Sequence, residues 1–182
     1  TTPPGLLVPS ATKAAEAGCH LFIEKPLSTT ADGLDDLQAI AQSKGLVTMA
    51  GCNMRFHHGP STVKRLLSEN AIGRVTSAMF DAGYYMPDWN PDRDYRTRYS
   101  AHKGQGGGVL LDLSHELDYV QWLAGPLEVE HAVSKKVSDL EIETDDLLLF
   151  SGRAPGGVCV HIGLNYFTRE PIRQIILDGE DI

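Results

Sequence analysis

The apolar residues of this chain follow one period in its first half and another in its second, and that change of rhythm limits the folds open to it. Val8, Ala11, Ala14 and Ala15 recur at helical spacing and stop at Gly18, just before the short apolar run from His20 to Ile23. Thr29 and Thr30 precede a second helical series, Ala31, Leu34, Leu37, Ile40 and Ala41, which ends at Gly45 ahead of the run Leu46 to Ala50. Helices and strands alternating at this pace predict a parallel α/β layer. After Pro60 a third helix carries Val63, Leu66 and Leu67, and residues 75–84 read as a longer strand. From Glu128 onward strand follows strand, over residues 128–137, 144–151, 157–165 and 172–178, with turns at 154–157 and around Pro171. Successive strands without helices between them predict antiparallel pairing. The expected fold class is therefore α/β and then α+β, with a first unit over residues 1–54 and a second over residues 55–182.

Composition removes several function classes. The chain has 182 residues, 42% of them apolar, which is enough to bury roughly 70% of the surface of the unfolded chain and argues against disorder. Its 16 Lys and Arg face 24 Asp and Glu, and the resulting net charge of -8 repels a phosphate backbone, so no nucleic-acid partner is expected. The longest apolar runs, such as 108–111 and 147–150, are far short of the ~18 residues of a spanning helix, so no membrane partner is expected either. Cys19, Cys52 and Cys159 are widely spaced and odd in number, which suits a reducing, cytoplasmic setting and core positions as small apolar side chains. His57 and His58 are adjacent, so their rings point apart, and no Cys pair has zinc-site spacing; no metal is expected. Ser114-His115 lacks the strand-turn-helix setting of a hydrolase serine.

The segment 108–124 predicts one long helix with two lines of contact. Leu110, Leu113, Leu117, Val120 and Ala124 form a core stripe, while Leu111, His115, Asp118 and Trp122 form a second line on another face. His115 then sits at an interface, with Asp112 and Asp118 three residues to either side and within reach of its ring. Such a histidine suits an oriented general base. The competing reading is a histidine that pairs with an acid on a wetted surface. The glycines at 106–108 follow a polar loop, so they read as room for close backbone approach and as the opening of the helix.

Three stretches together resemble a known family. They are Thr2-Pro3-Pro4 followed by a helix, a strand and Glu24-Lys25-Pro26-Leu27; then Gly51-Cys52-Asn53-Met54-Arg55-Phe56; and then the run Gly106 to Asp118. They resemble the glucose-fructose oxidoreductase, inositol dehydrogenase and rhizopine catabolism (Gfo/Idh/MocA) oxidoreductases. The resemblance implies the C-terminal remnant of a Rossmann domain, followed by a partly complete, mainly antiparallel sheet domain with a long active-site helix. It implies NAD or NADP as cofactor, and hydride transfer to or from a secondary alcohol of a sugar, sugar derivative or cyclic polyol. His115 then becomes the base and Lys25 the cation beside the substrate oxygen, with Asp112 or Asp118 orienting the histidine. Thr2, Pro3, Glu24, Lys25, Asn53 and Arg55 fall on cofactor-binding positions, and Lys25-Pro26 is expected to be cis.

The segment 84–103 resembles the substrate loop of relatives from surface-sugar pathways, which makes Trp89, Tyr95 and Lys103 candidate sugar contacts. Tyr166, Arg169 and Arg173 are positioned to reach a substrate or a neighbouring subunit. Two departures stand out. Many relatives place an aspartate four residues before the histidine, where this chain has Leu111, and a histidine after the Thr-Pro pair, where it has Leu7. No G-x-G-x-x-G loop precedes the first helix, so the resemblance implies a chain truncated at both ends, with an incomplete cofactor site and weak NAD binding on its own. Alternation on the late strands leaves one sheet face free, and a homo-oligomer through that face is expected. The rival reading is a non-catalytic self-association or binding module with a vestigial site.

Overall fold

The computed structural model describes residues 4–181. In the first unit, α1 (Leu7–Glu16) turns Val8, Ala11 and Ala15 inward and packs beside α2 (Leu34–Ser43), which contributes Leu37 and Ala41. β1 (Leu21–Ile23) and β2 (Thr48–Ala50) pair in parallel, with Leu21 opposite Thr48. α2 starts later than the threonines at 29 and 30 suggested. Gly33 at φ 75° is its N-cap, because the Thr30 hydroxyl donates to the Asp32 carboxylate and accepts from the Asp32 amide, forming a turn of its own. Lys25-Pro26 is cis.

The second unit begins at α3 (His58–Ser68), whose first turn is capped by the His57 ring accepting from the Gly59 amide at 3.4 Å. There follow β3 (Val75–Tyr85), α4 (Val109–Asp112), α5 (Ser114–Ala124), β4 (Glu128–Lys135), β5 (Leu147–Ala154), β6 (Val158–Asn165) and β7 (Phe167–Gly179). Five strands form one sheet in the order β4-β5-β6-β3-β7. The sheet is mixed rather than purely antiparallel: β3 runs parallel to β6 and antiparallel to β7. The reason is geometric. β6 and β7 run in opposite directions, and a strand inserted between them must be parallel to one of the two.

Pro171 does not make a turn, as the sequence reading expected. It lies within β7, at the edge of the sheet, where the register with β3 shifts between Gly83 and Tyr85, and an edge bulge is where a residue without an N–H fits a strand. The core lies between the sheet and α5. Phe80, Val160, Ile162 and Leu164 from the strands meet Tyr119, Val120 and Leu123 from the helix. The opposite sheet face leaves Met79, Leu149 and Ile176 exposed. None of the cysteines is a core residue. Cys19 and Cys159 are exposed and Cys52 is half-buried, because Cys19 follows the turn at Gly18 and Cys159 points away from Val160 on β6.

The expected long helix is two. α4 ends at Asp112, Leu113 breaks the geometry at φ -94° and ψ 28°, and α5 restarts at Ser114. In a continuous helix the Asp112 carbonyl would accept from the Glu116 amide. Here it accepts from the Lys25 ammonium at 2.5 Å, and the Glu116 amide bonds Leu113 O instead. A side chain entering the ladder is a recognised cause of such a break. The break also changes the inward face. Val109, Asp112, Leu113, Glu116, Tyr119, Val120 and Leu123 are buried, while Leu110, assigned above to the core stripe, is exposed.

The glycine run opens α4 as expected from close approach. A Cβ on Gly107 would lie 2.4 Å from Tyr99 O, and Gly108 at φ 115° would bring one within 2.3 Å of Asp145 Oδ1. Asp145 caps the helix through its carbonyl to the Val109 amide and its carboxylate to the Leu110 amide.

Candidate active site

A cleft of about 880 Å³ lies between the end of β1, the helix break and the strands β3 and β7, and Lys25, Asn53, Trp89, Asp112, His115 and Arg173 all line it. Each element delivers its residue for a local reason. Lys25 stands at the carboxyl end of the parallel strand β1, where open α/β sheets place their ligands, and its ammonium is fixed by the Asp112 carbonyl. His115 lies in the first turn of α5, directly after the break that this same contact creates. Lys25 and His115 thus converge on one cleft.

Neither aspartate orients His115, contrary to the sequence reading. The buried Asp112 carboxylate accepts four hydroxyl bonds, from Tyr84 at 3.0 Å, Tyr99 at 2.5 Å, Ser100 at 3.1 Å and Tyr166 at 3.1 Å. Asp118 forms a two-point ion pair with Arg55, at 2.8 Å and 2.5 Å. Both carboxylates are thus taken up by other partners, and His115 Nδ1 is buried with no hydrogen-bond partner among the described residues. Burial first, and then the Lys25 and Arg173 cations, push the His115 imidazolium down to about 4. The ring is therefore neutral at pH 7 and able to accept a proton. Burial, and next the charge of Asp112, raise the Tyr84, Tyr99 and Tyr166 phenols, so these remain donors to Asp112 at any working pH.

The folded pKa of His115 lies below its unfolded value near 6.5. The folded state therefore binds fewer protons between about pH 6.5 and 4, and the contribution of this group to stability is present above that window and lost as pH falls through it. In an NMR titration the His115 ring should show a midpoint near 4, moving upward in Lys25→Met. A midpoint of 6 to 7 would contradict the burial and the charges described here.

The remaining sequence candidates separate. Trp89 is half exposed on the cleft wall, held between Tyr84 at 4.8 Å and the Arg98 guanidinium at 4.3 Å. Tyr166 is fully buried behind Asp112, so it supports the wall and cannot touch a substrate. Tyr95 lines a neighbouring cavity of about 420 Å³ that shares Tyr85 and Arg169 with the cleft, its hydroxyl accepting from the Glu141 amide. Lys103 is exposed in a short turn over 103–105 and does not line the cleft. Glu24 Oε1 accepts from the Lys25 amide, and Arg55 is taken up by Asp118. Thr2 and Pro3 lie outside the described residues.

The sequence reading missed Tyr84, Ser100 and Glu116. Glu116 is fully buried and accepts from Arg173 Nε at 2.7 Å across the sheet. A carboxylate pair at 112 and 116, in line with Val109, Tyr119 and Val120, was the available signal. Among the described residues, no group of three or more His, Cys, Asp or Glu is placed to hold a metal, and no helix is long and apolar enough to cross a membrane.

Comparison with known proteins decides the family. The profile described as the GFO/IDH/MocA C-terminal domain matches residues 61–181, and that of the oxidoreductase family with an NAD-binding Rossmann fold matches residues 1–52. The chain belongs to the GFO/IDH/MocA oxidoreductase family. It is 32% identical to the levoglucosan dehydrogenase of Pseudarthrobacter phenanthrenivorans over 72% of this chain and 34% of that protein. It is 32% identical to a dTDP-3,4-didehydro-2,6-dideoxy-alpha-D-glucose 3-reductase of Saccharopolyspora spinosa, over 90% of this chain and 47% of that one. Its fold matches the WlbA dehydrogenase of Bordetella pertussis, solved with NADH and UDP-GlcNAcA, at a TM-score of 0.86 and 23% identity, covering 99% of this chain and 52% of that one. The chain thus spans about a third to a half of the length of these GFO/IDH/MocA relatives.

Proposed function

We propose that the protein containing this chain transfers a hydride between NAD or NADP and a secondary alcohol of a sugar, sugar derivative or cyclic polyol. The observation that carries the reading is the meeting of Lys25 and His115 in one cleft, with the His115 ring neutral. His115 takes the hydroxyl proton, and the Lys25 ammonium stabilises the negative charge that develops on the same oxygen. Trp89 offers the exposed part of its indole to the sugar ring. Asp112 acts through Lys25: its hydroxyl cage fixes the carbonyl that holds the ammonium. Asp118 acts on Arg55.

Lys25 and Asn53, a cation and an amide that follow the two parallel strands, fit the nicotinamide end of a dinucleotide, and Glu24 and Arg55 flank them. When bound, NAD(P) supplies the hydride acceptor. The exposed sheet face with Met79, Leu149 and Ile176 supports a homo-oligomer.

The test is a spectrophotometric assay of the whole protein with NAD or NADP and a panel of sugars and inositols. Reduction of the cofactor by at least one of them is expected. A protein that binds sugar and cofactor yet transfers no hydride would favour the binding-module reading.

A further inference from the structure

Two arginines of β7 line the same cleft with guanidinium nitrogens that no protein group among the described residues engages. Arg169 stacks its guanidinium 3.6 Å from the centre of the Tyr85 ring and has no carboxylate partner among the described residues. Arg173 is gripped through Nε by the fully buried Glu116, and its Nη1 approaches Met54 Sδ at 3.8 Å, which leaves Nη2 without a protein partner among those residues. Burying a carboxylate is costly and is tolerated when a well-placed cation meets it. Here the pair leaves a guanidinium whose direction is set by the core while 45% of its side chain remains exposed to the cleft.

The unused guanidinium donors of the cleft wall favour an anion. In a chain of net charge -8, the wall gathers Lys25, Arg169 and Arg173 against Asp88 and Asp112, with Glu116 behind it paired to Arg173. Asp112 is taken up by its four hydroxyls and Lys25 by a backbone carbonyl. Asp88 is a lining carboxylate that the cage does not engage. A neutral sugar meets such guanidinium groups with uncharged single acceptors, whereas a carboxylate or phosphate matches the planar fork of donors with charge-assisted bonds.

We propose that Arg169 and Arg173 form an anion subsite, and that the substrate of this cleft is a sugar bearing a carboxylate or a phosphate. The proposal rests on the sugar-directed reading of the cleft. It adds which sugars are taken. The anionic group sits at the β7 arginines, and the reacting alcohol is turned toward Lys25 and His115.

Calorimetric titration of the protein with glucose, glucuronate and glucose 1-phosphate tests this without any turnover. At least one acidic sugar should bind roughly tenfold or more tighter than glucose, and which one does so separates the carboxylate from the phosphate source. Arg169→Gln and Arg173→Gln should each remove roughly 10- to 100-fold of that affinity, and raised salt should weaken it. Arg65→Gln, a surface control on α3, should change nothing. Because Arg173→Gln leaves Glu116 unpaired, Arg169→Gln serves as the variant that does not disturb the core. Equal binding of glucose and both acids, no binding of either acid, or acid binding unaffected by Arg169→Gln would each overturn the subsite. Hydride transfer is measured separately, so a neutral-sugar preference would sink the subsite and leave the dehydrogenase reading standing.

Discussion

His115→Ala is expected to lower turnover of the whole enzyme by about 10²- to 10⁴-fold, the usual loss when a positioned acid-base group is removed. Cofactor affinity should stay nearly unchanged, because the ring acts on the alcohol proton. Lys25→Ala should cost a comparable factor for a different reason. The ammonium faces charge that exists fully only in the transition state, so its loss falls on kcat more than on KM. The burial and the cations that lower the His115 pKa also predict the acid side of the pH profile. kcat/KM should hold down to well below pH 6.5 and fall only as the ring protonates near pH 4. Near-normal turnover in His115→Ala would sink the assignment. An unchanged profile in Lys25→Met would separate the two residues and leave His115 acting alone.

The second large effect is on stability. Asp112→Ala removes the acceptor shared by Tyr84, Tyr99, Ser100 and Tyr166, two of which are fully buried. Each buried hydroxyl left without a partner costs about 1–3 kcal/mol, with partial relief where a tyrosine can turn to water. A total loss of about 3–5 kcal/mol follows for the variant. Asp112→Asn keeps one acceptor oxygen and should lose less, although its amide hydrogens face hydroxyls that already donate. Urea unfolding with an unchanged m-value would read the difference directly. A loss under about 1 kcal/mol would mean that the four bonds do not act together. Because the hydroxyl cage on the Asp112 carboxylate fixes the backbone carbonyl that holds Lys25, the folded fraction of Asp112→Ala should also show a lower kcat.

Much of this was legible in the chain because it depends on neighbours in sequence. Alternating helical and strand periods marked α1, β1, α2 and β2 to within a few residues, and the period-two run Val158, Val160, Ile162, Leu164 marked the buried face of β6. Lys25 and His115 were found through the motifs around them. Other features required residues distant in sequence to meet. Pairing of β3 with β6 joins positions about eighty residues apart, and nothing in either strand states that β3 will enter between β6 and β7. The helix at 108–124 reads as continuous because every residue in it tolerates a helix; the break arises only when Lys25 arrives to take the Asp112 carbonyl.

The sequence by itself determined which segments are helix and which are strand, and which residue types stand at the strand end and on the helix. Those choices follow from backbone propensity and from the burial of alternate side chains, and both act over a few residues. Only the tertiary structure decided which acids are used and how. Asp112 was read as a partner of His115 and is bound by tyrosines from β3, the loop and the end of β6; Glu116 had no role assigned to it and is buried against Arg173 of β7. A carboxylate can be buried only where enough donors converge on it, and donors from separate strands converge only once the sheet has formed.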